Sequence, residues 1–126
     1  MRILYICTGN SFRSPVAEAL TRKFRPGLEV ESAGTDAAEG VAENAEELLE
    51  RDNARRFVKP EPDQLSERAV EEADVVVCMT DRHYTYLREN FSVDVETRIW
   101  RIEDPIDPGV EPEEAYRRIK SKVKML

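Results

Sequence analysis

Cys7-Thr-Gly-Asn-Ser-Phe-Arg13-Ser14-Pro15 carries the residue types for a phosphate-handling thiol. An apolar run, Ile3-Leu-Tyr-Ile6, precedes it and reads as a short buried strand. A helical pattern, Pro15 to Phe24, follows it directly. The cysteine therefore ends a strand, a Gly/Asn loop turns the chain, and Arg13 and Ser14 open a helix. Successive backbone N–H groups in such a turn converge on one point, and the helix N-terminus adds partial positive charge. Gly9 and Asn10 are residue types that tolerate the positive φ such a loop needs. Arg13 brings a fork that grips two oxyanion oxygens at once.

A free thiol is only a few per cent thiolate at neutral pH, whereas a helix N-terminus beside a guanidinium favours the anion. Ser14 is placed to donate a hydrogen bond to the sulfur, stabilising it as nucleophile and as leaving group. The chemistry expected is in-line attack of Cys7 on phosphorus, giving a cysteinyl-phosphate that water hydrolyses, with positioning and charge supplying most of the rate. The motif is not a nucleotide P-loop, because the Gly-Lys-Ser/Thr ending is missing. Thr8, Gly9, Asn10, Ser11, Phe12 and Ser14 are the expected substrate-binding residues, and Cys7 and Arg13 the catalytic ones that the loop itself supplies.

These residues lead to a family. The chain resembles the low-molecular-weight protein tyrosine phosphatases, which share a fold with one class of arsenate reductases. Glu31-Ser-Ala-Gly-Thr35 is similar to the family's segment after its second strand, and Glu72-Ala-Asp-Val-Val-Val-Cys-Met-Thr80 to its third strand. Ile102-Glu-Asp104-Pro105 resembles its general-acid loop, and Tyr116 lies in a helix like its last. The resemblance implies that Asp104 protonates the leaving oxygen and later takes a proton from water. A second Asp-Pro, Asp107-Pro108, is the alternative. Glu103 and Asp107 are near like charges that favour the protonated form of Asp104. The resemblance also implies that Ser32 braces Asn10.

Departures from the family pattern bear on substrate. Phe12 stands where many members carry a second cysteine, so the protective disulfide with the nucleophile is absent. Asp36-Ala-Ala-Glu-Gly40 and Ile106 hold no aromatic ring at positions where members clasp a phenyl group. Ser11 is small and polar where tyrosine phosphatases of the family carry a bulky aliphatic, and phosphoarginine-directed members have a hydroxyl there. Phosphotyrosine is the substrate the family implies; phosphoarginine and small phosphoesters remain open. Arsenate reduction is a further alternative, against which stands the lack of a convincing resolving pair, since Cys78 is the other cysteine. Cys78, at the end of an apolar run, is expected to be a buried core residue. A phosphate-binding module without turnover is the third, but binding alone needs no thiol.

The elements that must position these groups alternate between strand and helix. Strands are expected at 2–7, 28–32, 74–79 and 97–102, and helices at 14–24, 39–52, 66–72, 81–90 and 112–124. That order implies a single three-layer α/β domain over residues 1–126, a four-stranded parallel sheet with helices on both faces. Ligands then sit beyond the carboxyl ends of the strands, where Cys7 and Asp104 both fall. Lys59-Pro-Glu-Pro62 reads as a stiff loop.

The 126 residues are 36% charged, with a net charge of -7, which argues against nonspecific nucleic-acid binding. Two well-separated cysteines suit a reducing cytoplasm, and no apolar run approaches membrane-spanning length. One histidine and two separated cysteines assemble no metal set, and no cofactor is expected. His83 is expected on the surface at a helix start. The partner implied is a phosphorylated protein or small phosphoester.

Overall fold

The computed structural model describes residues 1–92, 94–105 and 109–126. Four parallel strands, β1 (Arg2–Cys7), β2 (Glu29–Gly34), β3 (Val75–Cys78) and β4 (Glu96–Ile99), form one sheet in the order β2-β1-β3-β4. The five α-helices are α1 (Arg13–Phe24), α2 (Glu43–Arg51), α3 (Glu67–Glu72), α4 (Asp81–Asn90) and α5 (Pro112–Lys124). One sheet face packs a core that includes Val16, Leu20, Leu49 and Ile119 from α1, α2 and α5. The other packs Ala69, Val70 and Leu87 from α3 and α4. The expected three-layer parallel architecture is therefore the one observed. Its apolar runs explain it: β1 and β3 lie inside the sheet, are buried on both faces, and need no alternation of polar residues.

Chain direction switches at β1, which has β2 on one side and β3 on the other. The crevice such a switch opens lies off the carboxyl end of β1, and Cys7 is the last residue of that strand. At the far end of α2 the molecule is tied by a half-buried polar cluster. Tyr116 Oη donates to Asp52 Oδ2 at 2.5 Å and Lys120 Nζ to Asp52 Oδ1 at 2.6 Å.

The element boundaries depart from expectation where backbone groups are used elsewhere. α2 begins at Glu43, not Glu39, because the N–H groups of Asp36, Ala38 and Ala42 are taken by carbonyls of the loop after β1. β4 ends at Ile99, not Ile102, because Arg101 adopts a φ of 56° and the Ile102 N–H turns to Met79 O at 2.7 Å. β2 runs on to Gly34, as Ala33 and Gly34 keep register with Ile6 and Cys7. β3 is shorter by a residue at each end, and Ser66 caps α3 rather than joining it, accepting from the Ala69 N–H at 3.2 Å.

Gly34 is a contact requirement. A Cβ there would lie 2.4 Å from Thr8 O and 2.9 Å from Asn10 N, both backbone atoms of the loop. Gly34→Ala is expected to push the loop off β2 and cost about 1–3 kcal/mol of stability. Urea denaturation measures that loss, and amide chemical shifts of residues 8–10 report the displacement.

Candidate active site

The loop between β1 and α1 is shaped by its own carbonyls. Cys7 O accepts from the Thr35 N–H, Thr8 O from Asp36, Gly9 O from Ala38 and Ser11 O from Ala42, at 2.8–3.0 Å. In a trans peptide the C=O and the following N–H point opposite ways. Anchoring these four carbonyls on the 35–42 segment therefore turns the N–H groups of Thr8, Gly9, Asn10 and Phe12 away from it, as an anion cradle requires. α1 continues the pattern. Its N-cap, Phe12, makes no side-chain cap bond, and its first turn holds no acidic residue, whereas each of the other four α-helices has one in its first turn. The positive end of α1 is left for something else negative.

Cys7 Sγ sits there, nearly buried, with Ser14 Oγ at 2.9 Å. Asn10 is fully buried with a φ of 52°; Gly9 is not in the left-handed region, so Asn10 is the loop residue that needs that conformation. Asn10 holds the loop chiefly through other side chains. Its Nδ2 donates to Ser14 Oγ at 2.7 Å and to Ser32 Oγ at 2.9 Å, and its Oδ1 accepts from Lys59 Nζ and the Asp63 N–H. Ser32 in turn donates to Glu18 Oε1 at 2.5 Å, and Arg22 closes the chain on Glu18 at 2.9 Å.

Arg13 is only 2% exposed. One terminal nitrogen donates to Ile102 O at 3.0 Å; the other donates to Thr8 Oγ1 at 3.3 Å and lies 3.5 Å from Asp104 Oδ2. The guanidinium thus ties the β1–α1 loop to the segment after β4 and brings Asp104 over the pocket. That pocket, about 290 Å³, is lined by Cys7, Arg13, Asp104 and Pro105, with Ala38, Ala42 and Asn44 on the α2 side. Phe12 contributes an aromatic surface, and Ser11 Oγ donates outward to Gly40 O at 2.9 Å. Asp107 and Ile106 lie outside the described residues. Glu103 reaches away, its carboxylate 3.7 Å from Arg82. Among the described residues no group of three or more His, Cys, Asp and Glu side chains could hold a metal ion, and no helix is long and apolar enough to cross a membrane.

Three participants escape a reading of the sequence. Lys59 reaches Asn10 of the loop, and Glu18 reaches Ser32 behind it, from loop and helix positions that carry no motif. His83, expected on the surface, is 2% exposed and packs beneath the loop. Its Nδ1 accepts from the Thr80 N–H at 3.1 Å, which leaves the proton on Nε2 to donate to Thr8 Oγ1 at 2.9 Å. The capping box at the start of α4 is what turns it inward. A Thr-x-x-His spacing before a helix was the available signal.

A larger cleft, about 630 Å³, opens on the other side of Ser32 and Lys59 and holds neither Cys7 nor Arg13. Cys78 is fully buried, as expected, and burial pushes its thiol up to about 12. It pairs with Ile6 in the β1–β3 register and belongs to the core of the α3/α4 face, whereas Cys7 belongs to that of the α1 face. The two sulfurs point to opposite sides of the sheet.

Comparison with known proteins agrees with this geometry. The family model described as low molecular weight phosphotyrosine protein phosphatase matches residues 2–126. A protein-arginine-phosphatase of Geobacillus stearothermophilus is 31% identical over 99% of this chain and 90% of its own length. A low molecular weight protein tyrosine phosphatase from Streptococcus pyogenes superposes with a TM-score of 0.86 over 98% of this chain and 89% of that one; at 19% identity it speaks for the fold alone. An arsenate reductase from Archaeoglobus fulgidus superposes with a TM-score of 0.78 at 26% identity, over 98% and 96%.

His83 gives the site a stability signature. Burial, then the charges of Arg13 and Arg82, push the imidazole down from 6.5 to about 4, so the folded protein holds it neutral where the unfolded chain protonates it. Its contribution is present above pH 6.5 and is lost as pH falls toward 4. Between pH 7 and pH 5 the loss is about 2 kcal/mol from this group. Urea unfolding at the two pH values measures it, and His83→Asn is expected to narrow the difference.

Proposed function

The chain belongs to the low molecular weight phosphotyrosine protein phosphatase family, whose members are phosphatases, and from that premise we propose that it hydrolyses phosphorylated protein side chains through Cys7. The observation that carries the proposal is the sulfur's setting. Cys7 Sγ lies at the uncapped start of α1, 2.9 Å from a hydroxyl, in one pocket with Arg13 and Asp104.

The phosphate occupies the cradle of loop amides, and Arg13 turns donors toward two of its oxygens. Cys7 Sγ attacks phosphorus as the bond to the leaving oxygen breaks on the opposite side. Asp104 gives that oxygen its proton. An arriving dianion displaces the Asp104 carboxyl group from Arg13 and leaves it facing the leaving oxygen. In the second step the Asp104 carboxylate takes a proton from water, which attacks the cysteinyl-phosphate and releases phosphate and the Cys7 thiolate. Ser14 stabilises the sulfur as it leaves.

Phosphotyrosine is the substrate that family membership supports. Phosphoarginine is the second reading. It is favoured by the protein-arginine-phosphatase likeness along nearly the whole chain, by the Ser11 hydroxyl, and by the small side chains of Ala38 and Ala42. Arsenate reduction by an intramolecular thiol pair is disfavoured, because Cys78 faces away from the pocket.

Hydrolysis of para-nitrophenyl phosphate across pH 5–8 tests the chemistry. Cys7→Ser is expected to fall to background while inorganic phosphate still binds. Asp104→Asn is expected to lose about 10²–10⁴-fold in kcat on phosphotyrosine, and less on the nitrophenyl ester, whose leaving group needs little protonation. Full activity in either variant removes that residue from the mechanism. The ratio of kcat/KM on phosphotyrosine and phosphoarginine peptides decides between the two substrates.

A further inference from the structure

Lys59 has no place in the chemistry above, yet it is among the most constrained side chains in the molecule. Its side chain is 8% exposed, and Nζ sits 2.7 Å from Asn10 Oδ1, 2.8 Å from Ser32 O and 2.7 Å from Asp63 Oδ2. Those three short contacts take its three protons, and Ser32 Oγ lies farther off at 3.3 Å. Pro60 and Pro62 stiffen the segment that carries it, and the Gly34 N–H holds Asp63 O at 2.9 Å.

We propose that Lys59 is a positioning residue for the nucleophile, acting through Asn10 to fix the direction of the Ser14 hydroxyl proton. The proposal rests on reading Cys7 as the attacking thiolate.

The argument is an accounting of donors. Lys59 Nζ and the Asp63 N–H can only donate, and both face the same end of the Asn10 amide, at 2.7 and 2.8 Å. That end must be the oxygen. The two protons of Asn10 Nδ2 therefore go to Ser14 Oγ and Ser32 Oγ. Ser14 Oγ, already accepting from Asn10, has its own proton left for Cys7 Sγ at 2.9 Å. Ser32 is removed as a competing donor, since its proton goes to Glu18. Without the Lys59 ammonium, Asn10 Oδ1 keeps one donor of two, the amide is free to tilt, and the Ser14 proton loses its fixed aim.

The readout is the rate at which iodoacetamide alkylates Cys7, taken as the ratio between pH 6 and pH 9 and located by mass spectrometry. A ratio within one variant reports the thiolate fraction and is independent of turnover. Lys59→Met is expected to lower this ratio about tenfold, the weak end of what a hydrogen bond to an anion is worth. Ser14→Ala is expected to lower it similarly. In the Ser14→Ala background, Lys59→Met is expected to change it less than about twofold, because the two act along one path. A purely structural Lys59 would give additive losses or none, and either result overturns the proposal. Should Lys59→Met not fold, Asn10→Gly cuts the same path at the next link and suits a φ of 52°; an unchanged ratio there overturns it equally. A wild-type Cys7 that alkylates like an ordinary thiol at pH 6 would remove the thiolate reading and the proposal with it. A wild-type thiolate whose ratio ignores Lys59 removes the proposal alone.

Discussion

Four backbone hydrogen bonds, from the amides of Thr35, Asp36, Ala38 and Ala42 to the carbonyls of the β1–α1 loop, are what the rest of the site depends on. A loop of small residues has many conformations, and a cradle for an oxyanion needs the one in which the amides share a side. Side chains cannot impose that, because the groups to be aimed belong to the backbone. The fold imposes it from outside, by extending the β1–β2 pairing past the ends of both strands. This is why β2 runs on to Gly34, why a Cβ at Gly34 has no room, and why α2 starts four residues after the helical pattern begins. Helix is given up between residues 39 and 42 so that loop carbonyls are held.

The electrostatics divide in the same way. A net charge of -7 would repel a dianion, yet acidic residues avoid the first turn of α1, while each of the other four α-helices places one in its own. Two cations, Arg13 and Lys59, are withdrawn from solvent on opposite sides of the loop. At such burial their fields are weakly screened, whereas most surface carboxylates act through water and salt and decay beyond about 8 Å. Burying cations is costly unless every donor has an acceptor. The structure meets that condition with carbonyl, hydroxyl, amide and carboxylate oxygens, and no buried side-chain nitrogen or oxygen among the described residues is left unsatisfied.

The sheet, its helices and the Cys7–Arg13–Ser14 constellation were legible because local pattern dictates them: apolar runs for strands, periodicity for helices, one contiguous motif for the loop. Asp104 was legible by spacing and resemblance, and lies in the same pocket as Cys7. Lys59 was not, since the partners that tie it to the site lie 27 and 49 residues away, and beside Asp63 a lysine in a proline-rich loop looks like solvent-facing charge. His83 was misplaced for a related reason. Two tyrosines and two charges surround it in sequence, and only the capping box turns the ring inward, beneath a loop 75 residues earlier. What sequence patterns miss here is long-range polar contact, which leaves no periodicity.

Phe12 shows how much a single side chain of the loop decides. As the N-cap of α1 its backbone belongs to the anion cradle, while its ring is 7% exposed and packs with the α1-side core. Both Phe12 and Cys7 line the pocket, and phenylalanine brings it no second sulfur. With phenylalanine, the other thiol of the chain is Cys78, and a disulfide between the two would require sulfurs on opposite faces of the sheet to meet. Oxidation of Cys7 to a sulfenic acid therefore has no thiol of this chain to condense with, and its rescue depends on a thiol from outside. The same Phe12 side chain also supplies aromatic surface to the pocket that holds Cys7, so a position without a second thiol is one that lines the site.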